Sequence, residues 1–105
     1  MIGSMTVQEL HEKIQNKEDI ILIDVREQKE WDEGHIEQAQ FLPLSTFEEQ
    51  AKKLTDPTKV VVCQCRSGKR SLTAATYLMG EGFENLFNLE GGILAWNEAG
   101  YETVK

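Results

Sequence analysis

Apolar and polar residues alternate along the chain in short blocks that read as strands and helices by turns. Ile20-Ile-Leu-Ile23 is a continuous apolar run, the pattern of a parallel strand covered on both faces. Val60 to Val62 is a β-branched run bounded by turn signals, and Leu86 to Leu89 is a further apolar strand. A short strand is expected around Gln40 to Leu42, before Pro43. Helical patterns fall between these runs. Thr6-Val-Gln-Glu9 has the form of a capping box, after which Val7, Leu10 and Ile14 share one face. His11 lies off that stripe and is expected in solvent, without a role. Asn16 to Asp19 breaks the pattern, and a short helical turn covers Glu27 to Asp32, closed by Gly34. Ser45-Thr-Phe-Glu48 repeats the capping-box form and opens a helix to about Leu54, followed by an Asp56-Pro57 turn. Leu72 to Met79 is helical, with apolar positions at Leu72, Ala75, Leu78 and Met79, and stops near Gly80 to Gly82. Gly91-Gly92 makes a tight turn before a last helix from Ile93 to Ala99, ended by Gly100. Strand and helix alternate throughout, so the fold class is α/β with a central parallel sheet.

A chain of 105 residues suits one domain with one core, and no repeat, linker or low-complexity stretch divides it. No apolar run approaches the ~20 residues that span a bilayer, so no membrane partner is expected. The N-terminus is too short and polar for an export signal, which favours a cytoplasmic protein. Gly3-Ser4-Met5 fits a cloning remnant before a native start at Met5, leaving residues 1–4 outside the domain proper. The net charge of −7 argues against nucleic acid, because a phosphate backbone demands a basic face.

The two cysteines, Cys63 and Cys65, are one residue apart and make a poor disulfide. Two thiols with His11 and His35 also lack the spacing of a zinc site, so neither metal nor cofactor is implied. What remains is single-thiol chemistry. Cys65 stands at the exit of a strand, faces a helix N-terminus across a Gly-containing loop, and is followed by Arg66, Lys69 and Arg70. The first N–H groups of a helix have no intrahelical partner and favour anions, of which a thiolate is one. Such settings lower thiol pKa values into the ~3.5–7.5 range, and burial is not expected beside so charged a loop. Cys65 is therefore the candidate nucleophile. Gly68 supplies a backbone turn, and successive loop N–H groups then converge on the sulfur as an anion nest. Cys63 continues the apolar run and is read as a packing residue; a resolving thiol is the alternative.

Three motifs carry a family resemblance. Cys65-Arg-Ser-Gly-Lys-Arg-Ser71 resembles the active-site loop of rhodanese-like domains, the single-cysteine sulfurtransferases. Asp24-Val-Arg26, with Glu30-Trp31 and Gly34-His-Ile36, resembles the family's Asp-Val-Arg … Glu-aromatic … Gly-His-Ile signature. Gly91-Gly-Ile-Leu-Ala-Trp96 is similar to its closing Gly-Gly … Trp motif. The resemblance implies a rhodanese-like fold, a five-stranded parallel sheet flanked by helices, whose first strand would fall around Met5 to Val7. It also implies a persulfide on Cys65, formed from a sulfane sulfur donor such as thiosulfate and passed to cyanide or a thiol. By the same resemblance Arg66, Ser67, Gly68, Lys69, Arg70 and Ser71 border the pocket, with Arg70 the best candidate for the anionic donor. Asp24 and Arg26 brace the loop, and Glu30 joins that network. His35 is a local hydrogen-bonding residue, and Trp31 and Trp96 are packing groups. Gln64 stands where the family often has an aromatic residue and is read as neutral. Gln38 replaces a usual glycine after the Gly-His-Ile turn.

Rival functions follow from the same residues. Cysteine phosphatases and arsenate reductases use five residues between Cys and Arg, and from Cys65 to Arg70 there are four. A docking module of this fold would be expected to lack the cysteine. A carrier that accepts persulfide from a dedicated donor protein stays open at this point.

Overall fold

The computed structural model describes residues 1–105. Five strands form one parallel sheet: β1 (Ile2–Met5), β2 (Ile20–Asp24), β3 (Gln40–Phe41), β4 (Val60–Gln64) and β5 (Asn85–Leu89), in the order β1-β5-β4-β2-β3. Five α-helices accompany it: α1 (Val7–Gln15), α2 (Gln28–Glu33), α3 (Phe47–Gln50), α4 (Lys69–Gly80) and α5 (Gly92–Glu98). None is long and apolar enough to cross a membrane.

Period-two alternation along the central strands makes two cores. Val61, Cys63 and Cys65 of β4 and its exit join Phe47, Ala51, Ala74, Ala75 and Leu78 from the α3 and α4 side. Val62 and Leu22 face the other way, onto Val7 and Leu10 of α1 and Ile93 and Trp96 of α5. Both faces of the sheet are thus covered, which is why its strands read as unbroken apolar runs. The central position of β4 puts the end of that strand, and Cys65 after it, at the middle of the sheet's carboxyl edge, where sites of α/β sheets form.

Four local expectations need correction. The first strand is Ile2–Met5, not Met5 to Val7, so it is built largely from residues read as a remnant. Thr6 is still extended and closes the α1 capping box with Glu9, so the strand has to end before it. Ser45 opens no capping box. Its hydroxyl and N–H instead bond the Glu27 carboxylate at 2.7 and 3.3 Å, and the stretch to Lys53 breaks into a 3₁₀ turn, α3 and a second 3₁₀ turn. Leu72 and Met79 are 47% and 41% exposed, because the buried face of α4 is Ser71, Ala74, Ala75 and Leu78. That face keeps the i, i+3, i+4, i+7 period but begins at a polar residue, which hides it from a hydrophobic count. His11 is half-buried and stacks on Tyr101, with ring centroids 4.0 Å apart.

Candidate active site

β4 delivers Cys65, and α4 begins four residues later at Lys69. Gly68 precedes the helix at φ 122°, a conformation that side chains avoid, and its N–H donates to Cys65 Sγ at 3.1 Å. No side chain caps α4. The sulfur occupies that place, as an anion at a helix N-terminus does. The Ser71 hydroxyl lies 3.3 Å from the same sulfur.

Burial opposes the thiolate, but bonds from the Ser71 hydroxyl and from the N–H groups of Ser71, Gly68 and Ser67 outweigh it, and the Cys65 thiol is held below its ordinary range. Cys63, two residues back and deep in the core, is pushed up to about 12 by desolvation first and the Cys65 charge second. Environment thus favours the thiolate at Cys65 and the neutral thiol at Cys63. Cys65 is nonetheless buried, at 1% exposure, contrary to the expectation of an open position. It lies at the floor of the nest, and the loop and α5 close over its backbone.

The orientation of the nest is set from below. The Cys65 carbonyl accepts from Ile93 N at 2.9 Å and from Gln64 Nε2 at 2.8 Å, and the Arg66 carbonyl accepts from Leu94 N at 3.2 Å. With these carbonyls held toward the N-terminus of α5, the following N–H groups are free to turn toward the sulfur. The Gly91-Gly92 pair makes this approach feasible. Gly92 sits at φ 55°, and a Cβ there would lie 2.5 Å from the Cys65 carbonyl oxygen. Gln64, read as neutral, is fully buried and acts as a brace.

Among the loop cations, Arg70 is already engaged. Its Nη1 and Nη2 donate to the two carboxylate oxygens of Glu30 at 2.7 and 2.8 Å. That pairing, helped by the Glu27 N–H, holds Glu30 down at about 2 against the cost of partial burial. Arg66 and Lys69 are exposed and form no ion pair within the chain. Arg66 lines a cleft of about 270 Å³ beside the loop, together with Arg26, Glu30, Glu33, Leu94 and Asn97. Asp24 and Arg26 form a buried pair, with Arg26 Nη2 at 2.7 Å from Asp24 Oδ2 and 2.8 Å from the Gly34 carbonyl. They tie the end of β2 to the close of α2, and none of their hydrogen bonds reaches residues 65–71. His35 bonds the Trp31 carbonyl through Nδ1 at 3.0 Å and stacks on the Trp31 ring. Trp96 is buried and donates Nε1–H to the Glu102 carbonyl.

One residue escaped the sequence reading. Asn88 of β5 receives the Ser71 hydroxyl on Oδ1 at 2.5 Å and donates Nδ2–H to the Gly68 carbonyl at 3.0 Å. Its only signal was a polar side chain inside the apolar run Leu86 to Leu89.

A family model, the rhodanese-like domain, matches residues 6–99. The chain belongs to the rhodanese-like domain family. A protein named Sulfurtransferase in Allochromatium vinosum is 34% identical over 104 residues, covering 99% of this chain and 96% of that one. YtwF of Bacillus subtilis is 41% identical over 95 residues, 90% of each chain. Among solved structures, a rhodanese-related protein from Thermoplasma volcanium superposes with a TM-score of 0.84 at 32% identity, covering 97% of each chain. The five-stranded parallel sheet is therefore the rhodanese-like fold, and the three sequence motifs all fall within the matched span.

Proposed function

We propose that the protein is a sulfurtransferase that carries a sulfane sulfur as a persulfide on Cys65. The observation that carries this reading is the convergence of the Gly68 N–H and the Ser71 hydroxyl on Cys65 Sγ at the head of an uncapped helix. The thiolate attacks the outer sulfur of thiosulfate, an S–S bond forms, and the bond to the sulfonyl sulfur breaks with sulfite leaving on its electron pair. A thiolate or cyanide then attacks the terminal sulfur, and Cys65 leaves as a thiolate. The nest holds the thiol below its ordinary range, which supplies thiolate without a dedicated general base. The relative named Sulfurtransferase and the family supply further support. The four-residue interval between Cys65 and Arg70 suits a bare sulfur better than a tetrahedral oxyanion, which weighs against phosphatase or arsenate reductase chemistry.

A second reading, transfer from or to a protein, has its own observation. Leu72 donates its N–H to the Gly68 carbonyl and Leu94 donates to Arg66, so both residues flank the loop, and both side chains are about half exposed. A protein donor would find an apolar rim there. The cytoplasm, as a reducing compartment, would keep the thiol available in either case.

The test is Cys65→Ser with intact-mass measurement after thiosulfate. A gain of about one sulfur, ~32 Da, is expected on the wild type alone, with thiosulfate:cyanide transfer abolished in the variant. Full transfer by Cys65→Ser would overturn the assignment. Persulfide loading from a cell extract but not from thiosulfate would select the protein-donor reading.

A further inference from the structure

Ser71 has one hydroxyl proton and two acceptors near its oxygen: Cys65 Sγ at 3.3 Å and Asn88 Oδ1 at 2.5 Å. The Asn88 amide is oriented independently. Its other end lies 3.0 Å from the Gly68 carbonyl, which only accepts, so Nδ2 must be there and Oδ1 must face Ser71. Because Oδ1 carries no proton, the short contact is a hydrogen bond only when Ser71 gives its proton to Asn88. The Ser71 oxygen then presents lone pairs to the sulfur. A neutral thiol, donating S–H to that oxygen, suits this arrangement; a thiolate then keeps only the backbone N–H donors, Gly68 N at 3.1 Å among them. For the Ser71 hydroxyl to add to those N–H donors, its proton must rotate from Asn88 to Sγ, which leaves a part-buried amide oxygen without a donor.

We infer that Asn88 is a positioning residue that competes with the Cys65 sulfur for the Ser71 proton, and so sets the balance between the free thiolate and the states in which Sγ is neutral. Register supports the geometry: Asn88 pairs with Cys63 across β4 and β5, which places its side chain on the α4 face beneath the loop. The consequence for sulfur transfer rests on the persulfide reading above. In a persulfide the charge moves to the outer sulfur, Sγ becomes neutral, and the Ser71 proton returns to Asn88. Oδ1 thereby favours the loaded state over the discharged thiolate and restrains Cys65 as a leaving group.

Other charges act on Cys65 from several elements. Arg70 on α4 attracts it while paired to Glu30 of α2, and Cys63 neighbours it on β4. Arg66 of the loop and Lys69 at the start of α4 extend into solvent, and Asp24 at the end of β2 pairs with Arg26 just beyond it. Substitutions at Ser71 and Asn88 change none of these charges, so a double-mutant cycle isolates the shared proton.

The experiment measures the pH dependence of iodoacetamide alkylation of the reduced protein, for wild type, Asn88→Leu, Ser71→Ala and the double variant. Loss of the Asn88–Gly68 bond loosens the loop in both Ser71 backgrounds and cancels in the cycle. Asn88→Leu is expected to move the alkylation midpoint to lower pH in the Ser71 background, relative to the same change in the Ser71→Ala background. The expected difference is at least about half a pH unit, or roughly threefold in thiolate fraction. Equal shifts in the two backgrounds would overturn the inference. Circular dichroism checks folding, and Asn88→Ala replaces the Leu variant if that one does not fold. No sulfur donor enters the measurement, so a failure of the sulfurtransfer reading would be seen separately.

Discussion

Arg70 and Glu30, forty residues apart in sequence, meet in a two-point ion pair with both N–O distances below 3 Å. The pair joins the first turn of α4 to α2, and it commits a loop cation that would otherwise be free for an anionic donor. Arg66 and Lys69 are left as the unpaired cations of the rim.

Replacing Glu30 by Gln is expected to release the Arg70 guanidinium. Thiosulfate should then protect Cys65 from alkylation about two- to fivefold more effectively, the range of a partly exposed charge pair. Unchanged protection would show that Arg70 does not face the bound anion.

The same carboxylate sets an acid limb of stability. The folded pKa of Glu30, about 2, lies below its ordinary value of 4.5, so its contribution is full above pH 4.5 and is lost as pH falls toward 2. With both side chains about a third exposed, the loss should be on the order of 1 kcal/mol. Urea unfolding at pH 6 and pH 2.5 measures it as the part of the difference that Glu30→Gln removes, since Glu9 and Asp56 are also held low and contribute the rest.

Iodoacetamide at neutral pH should label one thiol of the native protein, with the second reacting only after denaturation. Cys63, fully buried and held up at about 12, is the protected one. Cys63→Ala should keep most of the sulfur transfer and lose roughly 1 kcal/mol of stability. Loss of transfer in a folded Cys63→Ala protein would make Cys63 a participant.

Gly92→Ala should both strain the backbone at φ 55° and push the N-terminus of α5 off the Cys65 and Arg66 carbonyls. A loss of about 1–3 kcal/mol is expected, with a drop in thiol reactivity at pH 6 as the nest loosens. Gly80→Ala is the control. Nothing lies within 4 Å of a Cβ there, at the end of α4, so stability should hold or rise by up to ~1 kcal/mol.

Loop length can be tested by inserting one Gly between Ser67 and Gly68. The wider cup should weaken sulfur transfer and improve phosphate or arsenate as protectors of Cys65, because it adds an N–H donor. If the folded insertion variant ranks thiosulfate and phosphate as the wild type does, loop length is not what selects sulfur.

The sequence alone determined the strand and helix alternation, the α/β class and the loop that presents Cys65. Each of these rests on local physics: apolar runs such as Ile20 to Ile23, the capping box at Thr6, and a glycine where positive φ is needed. Three features were decided only by the tertiary structure: the partner of Arg70, the carbonyls that α5 holds, and the Asn88 amide beneath Ser71. These contacts join residues 17 to 40 positions apart, and their existence depends on how parallel strands register across crossovers. The inward face of α4 was hidden for a related reason: its first core-facing residue, Ser71, is polar, and its hydroxyl meets Cys65 Sγ and Asn88 Oδ1. Periodicity reports what a residue avoids, namely water; it does not report which distant group will satisfy a buried polar one.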